Sequence, residues 1–261
     1  IRAEAGKDCA EVEIRNLHDN ITSIKKNGKQ IYSAKENDGL YYGVLTDRSI
    51  LSFDRIYDFA VNTPIERLKE VFTPQIEDNI RIAEEGLTGK YGVGIGTSII
   101  ANDKSLAAKI KAYAAAASEA RMSGCTLPVI TNSGSGNQGI AASIPVIVYA
   151  REMNLPSEKL YRALALSNLL TIYQKTFIGR LSAFCGAVSA AAASGGAITY
   201  LAGGTPDQIK MTLVNALANV SGIVCDGAKA SCGAKISAGL DAAITGHYLA
   251  LDNKFYQPHT G

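Results

Sequence analysis

The chain has 261 residues, which is enough for one large domain or for a medium domain beside a small one. Hydrophobic residues make up 47% and charged residues 19%, so an intrinsically disordered chain is excluded. The formal net charge is +2 and no segment concentrates Lys and Arg, so we expect no nucleic-acid partner. Its longest apolar stretches are interrupted by polar residues such as Arg180, which favours buried helices over membrane spans. Five cysteines, an odd number, argue against a disulfide framework and for a reducing, cytoplasmic compartment.

Residues 1–60 are predicted to form the β-rich piece of a small α+β domain. Apolar and polar residues alternate over 12–17 and over 20–25, as in a half-buried strand, and Asn27-Gly28 follows as a turn signal. Short apolar runs at 31–32 and 41–45 are expected to continue the same antiparallel sheet.

Residues 61–261 are predicted to form a large helical domain, which makes the fold class α+β. Apolar residues recur at three- to four-residue spacing, and cap-like residues precede several of the segments. Many buried positions carry Ala, Gly or Ser, so we expect closely packed helices. The predicted helices after the first, which starts near Thr63, cover 105–122, 139–153, 157–173, 179–193, 205–224 and 231–252.

Three cysteines in the carboxyl-terminal part form a candidate metal site: Cys185, Cys225 and Cys232. On one continuous helix the last two would lie roughly 10 Å apart along the axis, too far for one small cluster. We expect Gly227 to end a helix and Ser231 to cap a new one beginning at Cys232. The new helix terminus, together with Lys229 and Lys235, would favour the thiolate form. Three cysteines without a nearby His suit iron–sulfur better than zinc, although buried free Cys also serves as a small apolar residue.

A glycine-rich segment forms a candidate substrate-binding turn at the start of a helix. Free N–H groups at such a terminus, flanked by polar side chains, are a receptor for a carboxylate. The glycines also satisfy the G-x-G-x-x-G pattern of nucleotide-dependent oxidoreductases, but no second parallel strand is predicted. A tight turn with Gly for packing is the other interpretation. The candidate residues are Asn132, Ser133, Gly134, Ser135, Gly136, Asn137 and Gln138.

Four segments resemble the α-chain family of iron–sulfur serine dehydratases, and most closely its L-cysteine desulfidase branch: 118–124, 132–139, 180–185 and 225–232. The resemblance covers nearly the whole chain in the same order. It implies a [4Fe–4S] cluster on Cys185, Cys225 and Cys232 with one open iron that acts as a Lewis acid. It also implies β-elimination from L-cysteine to give pyruvate, ammonia and sulfide, without pyridoxal phosphate. The alternatives are an L-serine dehydratase, giving pyruvate and ammonia, and a non-catalytic metal-binding protein.

The chain departs from the family pattern in one respect. Members of the family have an amino-terminal region with a further cysteine, in a motif like Gly-Cys-Thr-Glu-Pro, so we expect this chain to be a carboxyl-terminal fragment. The segment around Cys125 matches that motif only in part, and Cys125 is expected to serve packing. Cys9 is expected to have a structural role. His18 is a candidate acid–base group or an ordinary strand-end His, and the catalytic base is not assigned. The expected partners are a small amino-acid substrate and either a second copy or the missing amino-terminal segment, with no nucleic acid and no membrane.

Overall fold

The structure, a computed structural model, describes residues 1–15, 20–34, 47–179 and 182–257. The predicted α+β class is confirmed, because a four-stranded antiparallel sheet precedes a series of helices. The chain divides into two compact units, Ile1–Ile50 with Gly179–Ser182, and Leu51–Ile178 with Ala183–Gly261. Within the described ranges, no helix combines the length and the apolar character that a membrane span requires.

The sheet has the order β1-β2-β3-β4, and each strand is antiparallel to its neighbours. Asn27 and Gly28 have φ angles of 50° and 78°, the left-handed conformations of a type I′ hairpin turn, which confirms the predicted turn. The strand predicted over 41–45 lies outside the described residues. The strands are β1 (Arg2–Ala5), β2 (Asp8–Ile14), β3 (Ile21–Lys26) and β4 (Lys29–Ser33).

Local capping signals set several helix starts where the sequence predicted them. The Ser105 hydroxyl accepts from the N–H of Ala108 at 3.1 Å, and Thr205 forms a complete capping box with Gln208. The described helices are α1 (Phe53–Asn62), α2 (Ile65–Gly86), α3 (Ile95–Asn102), α4 (Leu106–Met122), α5 (Gly136–Glu152), α6 (Ser157–Ile178), α7 (Gly186–Leu201), α8 (Pro206–Val220) and α9 (Cys232–Leu251). The helices α1 and α3 were not predicted. Although α1 begins before residue 60, the predicted domain boundary between residues 60 and 61 stays a prediction.

Two predicted helix boundaries near the cysteines are wrong. The helix expected at 179–193 is α7, which begins only at Gly186, and the helix expected to reach residue 224 is α8, which ends at Val220. Residues 182–185 and 221–224 lie outside the helices instead, and Phe184 and Val224 form an antiparallel bridge. Gly227 has a left-handed φ of 95° but does not end a helix, because α8 has already ended.

Small residues bring the core helices of the second unit close together, as predicted. A Cβ on Gly195 of α7 would stand 2.8 Å from the Ala243 Cβ of α9, and a Cβ on Gly239 of α9 would stand 3.0 Å from the Ala191 Cβ. Real Cβ atoms require about 3.5 Å or more, so these helix backbones approach closely only because glycine is present.

Candidate active site

The bridge between Phe184 and Val224 turns two of the predicted cluster ligands to one face. Cys185 N–H donates to the Ile223 carbonyl at 3.1 Å, and Cys225 N–H donates to the Ala183 carbonyl at 2.7 Å. Side chains alternate across paired extended segments, so Cys185 and Cys225 project from the face opposite to Phe184 and Val224. As diagonal neighbours on that face they are within reach of one compact group.

The third cysteine opens α9. Cys232 is the first residue of that helix, as predicted, but Ser231 makes no side-chain capping bond. Instead, the N–H of Lys229 donates to the Cys232 sulfur at 3.4 Å. An amide donor of this kind stabilises negative charge on sulfur and is one of the means by which proteins tune iron–sulfur sites.

The thiol of Cys185 is in a buried environment. Burial raises the pKa of this thiol above its ordinary value, although the N–H groups of Val188 and Ala187 oppose the rise. Negative charge on Cys225 and Cys232 raises the pKa of Cys185 further, because like charges nearby disfavour its thiolate. A cationic metal group between them would reverse this balance and favour the thiolates.

A charged group lies beside the cysteines. The Asp226 carboxylate bonds Lys235, and it bonds Lys229 at 2.9 Å. These two lysines hold the pKa of Asp226 well below its usual range. The Lys235 ammonium also donates to the Val224 carbonyl at 3.3 Å, which fixes the cysteine-bearing segment to α9. Negative charge on Cys185 and Cys232 adds to the rise in the pKa of Lys235 that Asp226 causes.

The residues present fit an iron–sulfur cluster. Two thiols share one face, a third begins the neighbouring helix, and the sulfur of Cys232 has an amide donor. Thiol donors without imidazole are the usual ligands of such clusters. No three His, Cys, Asp or Glu side chains surround a position for a single metal ion in the part of the chain that the structure describes.

The glycine-rich segment forms a tight turn that leads directly into α5. Ser133 and Gly134 have φ angles of 51° and 79°, and Asn132 and Ser135 exchange two backbone hydrogen bonds of 3.1 and 3.0 Å. Ser135 then caps α5 by accepting from the N–H of Gln138. In the described ranges all strand pairs are antiparallel and none leads into this turn, so the β-α-β unit of a nucleotide-binding site is not found there.

A buried amide network holds the first half of the turn. The Asn132 amide donates to the Asn168 side chain at 2.9 Å, and Asn168 donates to Gln75 at 2.9 Å. A cavity of about 390 Å³ adjoins these three residues and Ser133, with apolar walls that include Phe72. Sequence reasoning missed Gln75 and Asn168. The sequence could have indicated them, because each is a polar residue at a helix position where the spacing of apolar residues predicts burial.

The second half of the turn reaches the cysteines. Asn137 accepts from the Ser118 hydroxyl at 3.2 Å and from Arg121 at 3.4 Å. Gln138 is 7% exposed, and its amide lies so close to Gly186 that a Cβ there would stand 2.7 Å from the Gln138 nitrogen. The candidate substrate turn therefore contacts the residue that follows the first candidate ligand, Cys185.

Three helix starts meet in this region. The start of α5 touches the start of α7 through Gln138 and Gly186, while Cys232 at the start of α9 acts electrostatically on Cys185. The amino-terminal end of a helix carries a partial positive charge, so this arrangement favours anionic groups such as a carboxylate or a reduced cluster.

The buried Glu119, which sequence reasoning also missed, packs against the start of α9. Its carboxylate accepts from the N–H groups of Val93 and Ile95 at 3.0 and 2.7 Å, and so caps α3. Its Cγ would be 3.2 Å from a Cβ on Gly233, the residue after Cys232.

The other sequence-predicted residues have simpler outcomes. His18 and the Arg180-Leu181 part of the family resemblance lie outside the described residues. Cys9 and Cys125 are half-buried free thiols, and the roles expected for them stay predictions.

Comparison with known proteins assigns the family. The profile of the serine dehydratase alpha chain matches residues 10–260, and the chain belongs to this family. A UPF0597 protein of Treponema denticola is 47% identical over 98% of this chain, and one of Desulfitobacterium hafniense is 49% identical over 96%. A UPF0597 protein of Porphyromonas gingivalis is 37% identical over the whole chain. This chain spans 61%, 58% and 62% of the lengths of these three relatives. No solved structure matches the chain. The desulfidase branch and the fragment stay predictions.

Proposed function

We propose that this chain is the cluster-binding part of a [4Fe–4S]-dependent lyase that catalyses β-elimination on a small amino acid. The substrate is L-cysteine, giving pyruvate, ammonia and sulfide, with L-serine, giving pyruvate and ammonia, as the alternative. The observation that carries the proposal is the bridge that turns Cys185 and Cys225 to one face, next to Cys232. Membership of the serine dehydratase alpha chain family supports the reaction class.

In this proposal each part of the site has one task. Cys185, Cys225 and Cys232 hold the cluster, which when bound supplies an open iron as a Lewis acid for the substrate carboxylate and the β-leaving group. The turn at 132–138 binds the substrate, because the start of α5 offers N–H groups and polar side chains. Lys229 and Lys235 keep Asp226 ionised and occupied, so that this carboxylate does not compete for the cluster.

The experiment is anaerobic reconstitution with iron and sulfide, carried out on this chain and on the complete product of its gene. Absorbance between 350 and 450 nm, roughly the range in which thiolate-ligated iron–sulfur clusters absorb, reports the cluster before and after each amino acid is added. We expect the spectrum to respond to substrate, and sulfide and pyruvate to be released from L-cysteine. Turnover of L-serine alone would reverse the order of the two substrates. A cluster that responds to neither amino acid would support the non-catalytic metal-binding alternative.

Cysteine variants test the ligand set. Replacing Cys185, Cys225 or Cys232 by Ser is expected to lower the iron bound per chain, while Cys9→Ser is the matched control, since Cys9 is also a free thiol. Full iron content in all three ligand variants would refute the proposed site.

A further inference from the structure

Cys225 is the candidate ligand that its own secondary structure holds least. Cys185 and Cys232 are buried and stand at the starts of α7 and α9, whereas Cys225 is exposed in the segment between α8 and α9. Its N–H is bonded to the Ala183 carbonyl at 2.7 Å. An exposed residue outside the helices needs further contacts to keep one position, because conformational entropy opposes its ordering.

The Lys235 ammonium provides these contacts on both sides of Cys225. It donates to the Val224 carbonyl at 3.3 Å, and it bonds the Asp226 carboxylate. Val224 precedes Cys225 and Asp226 follows it. One cation on α9 therefore binds the chain immediately before and immediately after the thiol.

Lys235 lies on the same face of α9 as Cys232. The two residues are three positions apart at the start of this helix, so their side chains are neighbours. The Lys235 N–H bonds the Ser231 carbonyl at 3.2 Å, and the next residue, Ile236, is fully buried, so the backbone of this turn is fixed in the core. The bonds of Lys235 therefore set the position of Cys225 relative to Cys232.

The contact differs from an ordinary surface ion pair. Exposed pairs stabilise a protein little, but the Lys235 side chain is only 22% exposed and has a backbone carbonyl as its second acceptor. The Lys229 side chain is 54% exposed and bonds Asp226 alone among the described residues. The two lysines that share this carboxylate thus have different roles, because only Lys235 also binds the backbone beside Cys225.

We propose that Lys235 is the positioning residue that holds Cys225 beside Cys232 as a ligand of the cluster. The inference rests on the proposed function, in which Cys225 is one of three ligands, and it names the residue on which that ligand depends. Cys185 and Cys232 keep positions that α7 and α9 set. When Lys235 is replaced, Cys225 is therefore the ligand whose position is lost.

Hydrogen exchange of the iron-free complete protein, followed by mass spectrometry of peptides that cover Cys225, tests the positioning without a cluster. Lys235→Met keeps the apolar stem and removes both bonds, so the Cys225 N–H is expected to exchange about tenfold faster, the effect of one charge-assisted hydrogen bond on local opening. Lys235→Arg keeps a cation with several donors and should restore most of the protection. Lys254→Met, which removes an exposed pair with Asp252, is the control and should leave the exchange unchanged.

Loss of iron to a chelator, followed by cluster absorbance in the reconstituted complete protein, tests the consequence for the ligand. We expect this loss to be about tenfold faster in Lys235→Met, and to change less in Lys229→Met, because Asp226 then keeps its bond to Lys235. Asp226→Ala should also speed the loss, since it breaks the same contact. If Lys235 acted through its charge alone, removal of the cation and removal of the anion would have opposite effects, and that result overturns the inference.

The outcomes separate this inference from the proposed function. Wild-type exchange at Cys225 in Lys235→Met, or faster exchange with an unchanged loss of iron, overturns the inference even if sulfide is released from L-cysteine. Faster exchange in Lys235→Met together with protection in Lys235→Arg, in a protein that acquires no cluster, supports the positioning of Cys225 and refutes the lyase.

Discussion

Gly139→Ala is expected to destabilise the protein by forcing the start of α5 away from the segment before it. A Cβ at this position would stand 3.0 Å from both the Ile130 carbonyl carbon and the Thr131 Cα, and closer still to the Ile130 oxygen. These are backbone atoms, so no side-chain rotation relieves the clash. Ordinary carbon contacts begin near 3.5 Å, and the two segments must therefore separate by about 0.5 Å or more.

The separation also strains the buried hydrogen bonds of the Asn79 side chain. Asn79 accepts from the Ile130 N–H at 2.9 Å and donates to Ser143 at 2.8 Å, which joins the two segments that the Cβ pushes apart. Overpacking costs about 1–3 kcal/mol, and weakening one buried hydrogen bond adds about 1 kcal/mol. The higher helix propensity of Ala offsets up to about 1 kcal/mol of this destabilisation. The expected net loss is about 1–3 kcal/mol of unfolding free energy.

Urea denaturation followed by circular dichroism measures this loss, with Gly222→Ala as the matched control. A Cβ on Gly222 would meet nothing within 4 Å, and its φ is not left-handed, so that variant should stay close to wild type. For a chain of this size the expected loss in Gly139→Ala lowers the melting temperature by roughly 2–12 °C. Equal stability of the two variants would refute the close backbone approach at Gly139.

Three further predictions concern single side chains. Glu119→Ala should lower the unfolding free energy by about 3 kcal/mol, because the N–H groups of Val93 and Ile95 lose a buried charged acceptor; a loss below about 1 kcal/mol in urea would contradict this. Burial lowers the pKa of His247, so its contribution to stability should be complete above about pH 6.5 and lost as the pH falls through the folded-state pKa. Urea midpoints between pH 7 and 5 should therefore fall more in wild type than in His247→Gln, and parallel curves would be inconsistent with the shift. Thr205→Ala should cost about 1 kcal/mol by removing the capping box, while Thr205→Ser retains most of it; equal losses in thermal unfolding would exclude a capping role.

Much of the helical framework could be predicted because its signals are local. Ser105 and Thr205 bond to backbone N–H groups three residues away, so their neighbours in sequence are enough to set the helix start. The Asn27-Gly28 turn follows from conformations that these two residues adopt readily. The resemblance of the cysteine segments likewise led to the family before any fold was known.

The segments around the cysteines could not be predicted from local pattern. Residues 182–185 precede α7 and residues 221–224 follow α8, and their composition continues the helical pattern. Their backbone groups find partners forty residues away instead, at the bridge of Phe184 and Val224. No local signal specifies this pairing, so only the folded chain shows which distant segment supplies the partner.

The sequence by itself determined where most helices begin and that small residues line the core; the three-thiol ligand set stays its prediction. Tertiary structure alone decided that Cys185 and Cys225 share a face, that Gln138 reaches Gly186, and that Glu119 caps α3. The physical reason is range: capping and turn energies depend on residues a few positions apart, whereas these contacts join residues that are distant in sequence and depend on how whole helices pack.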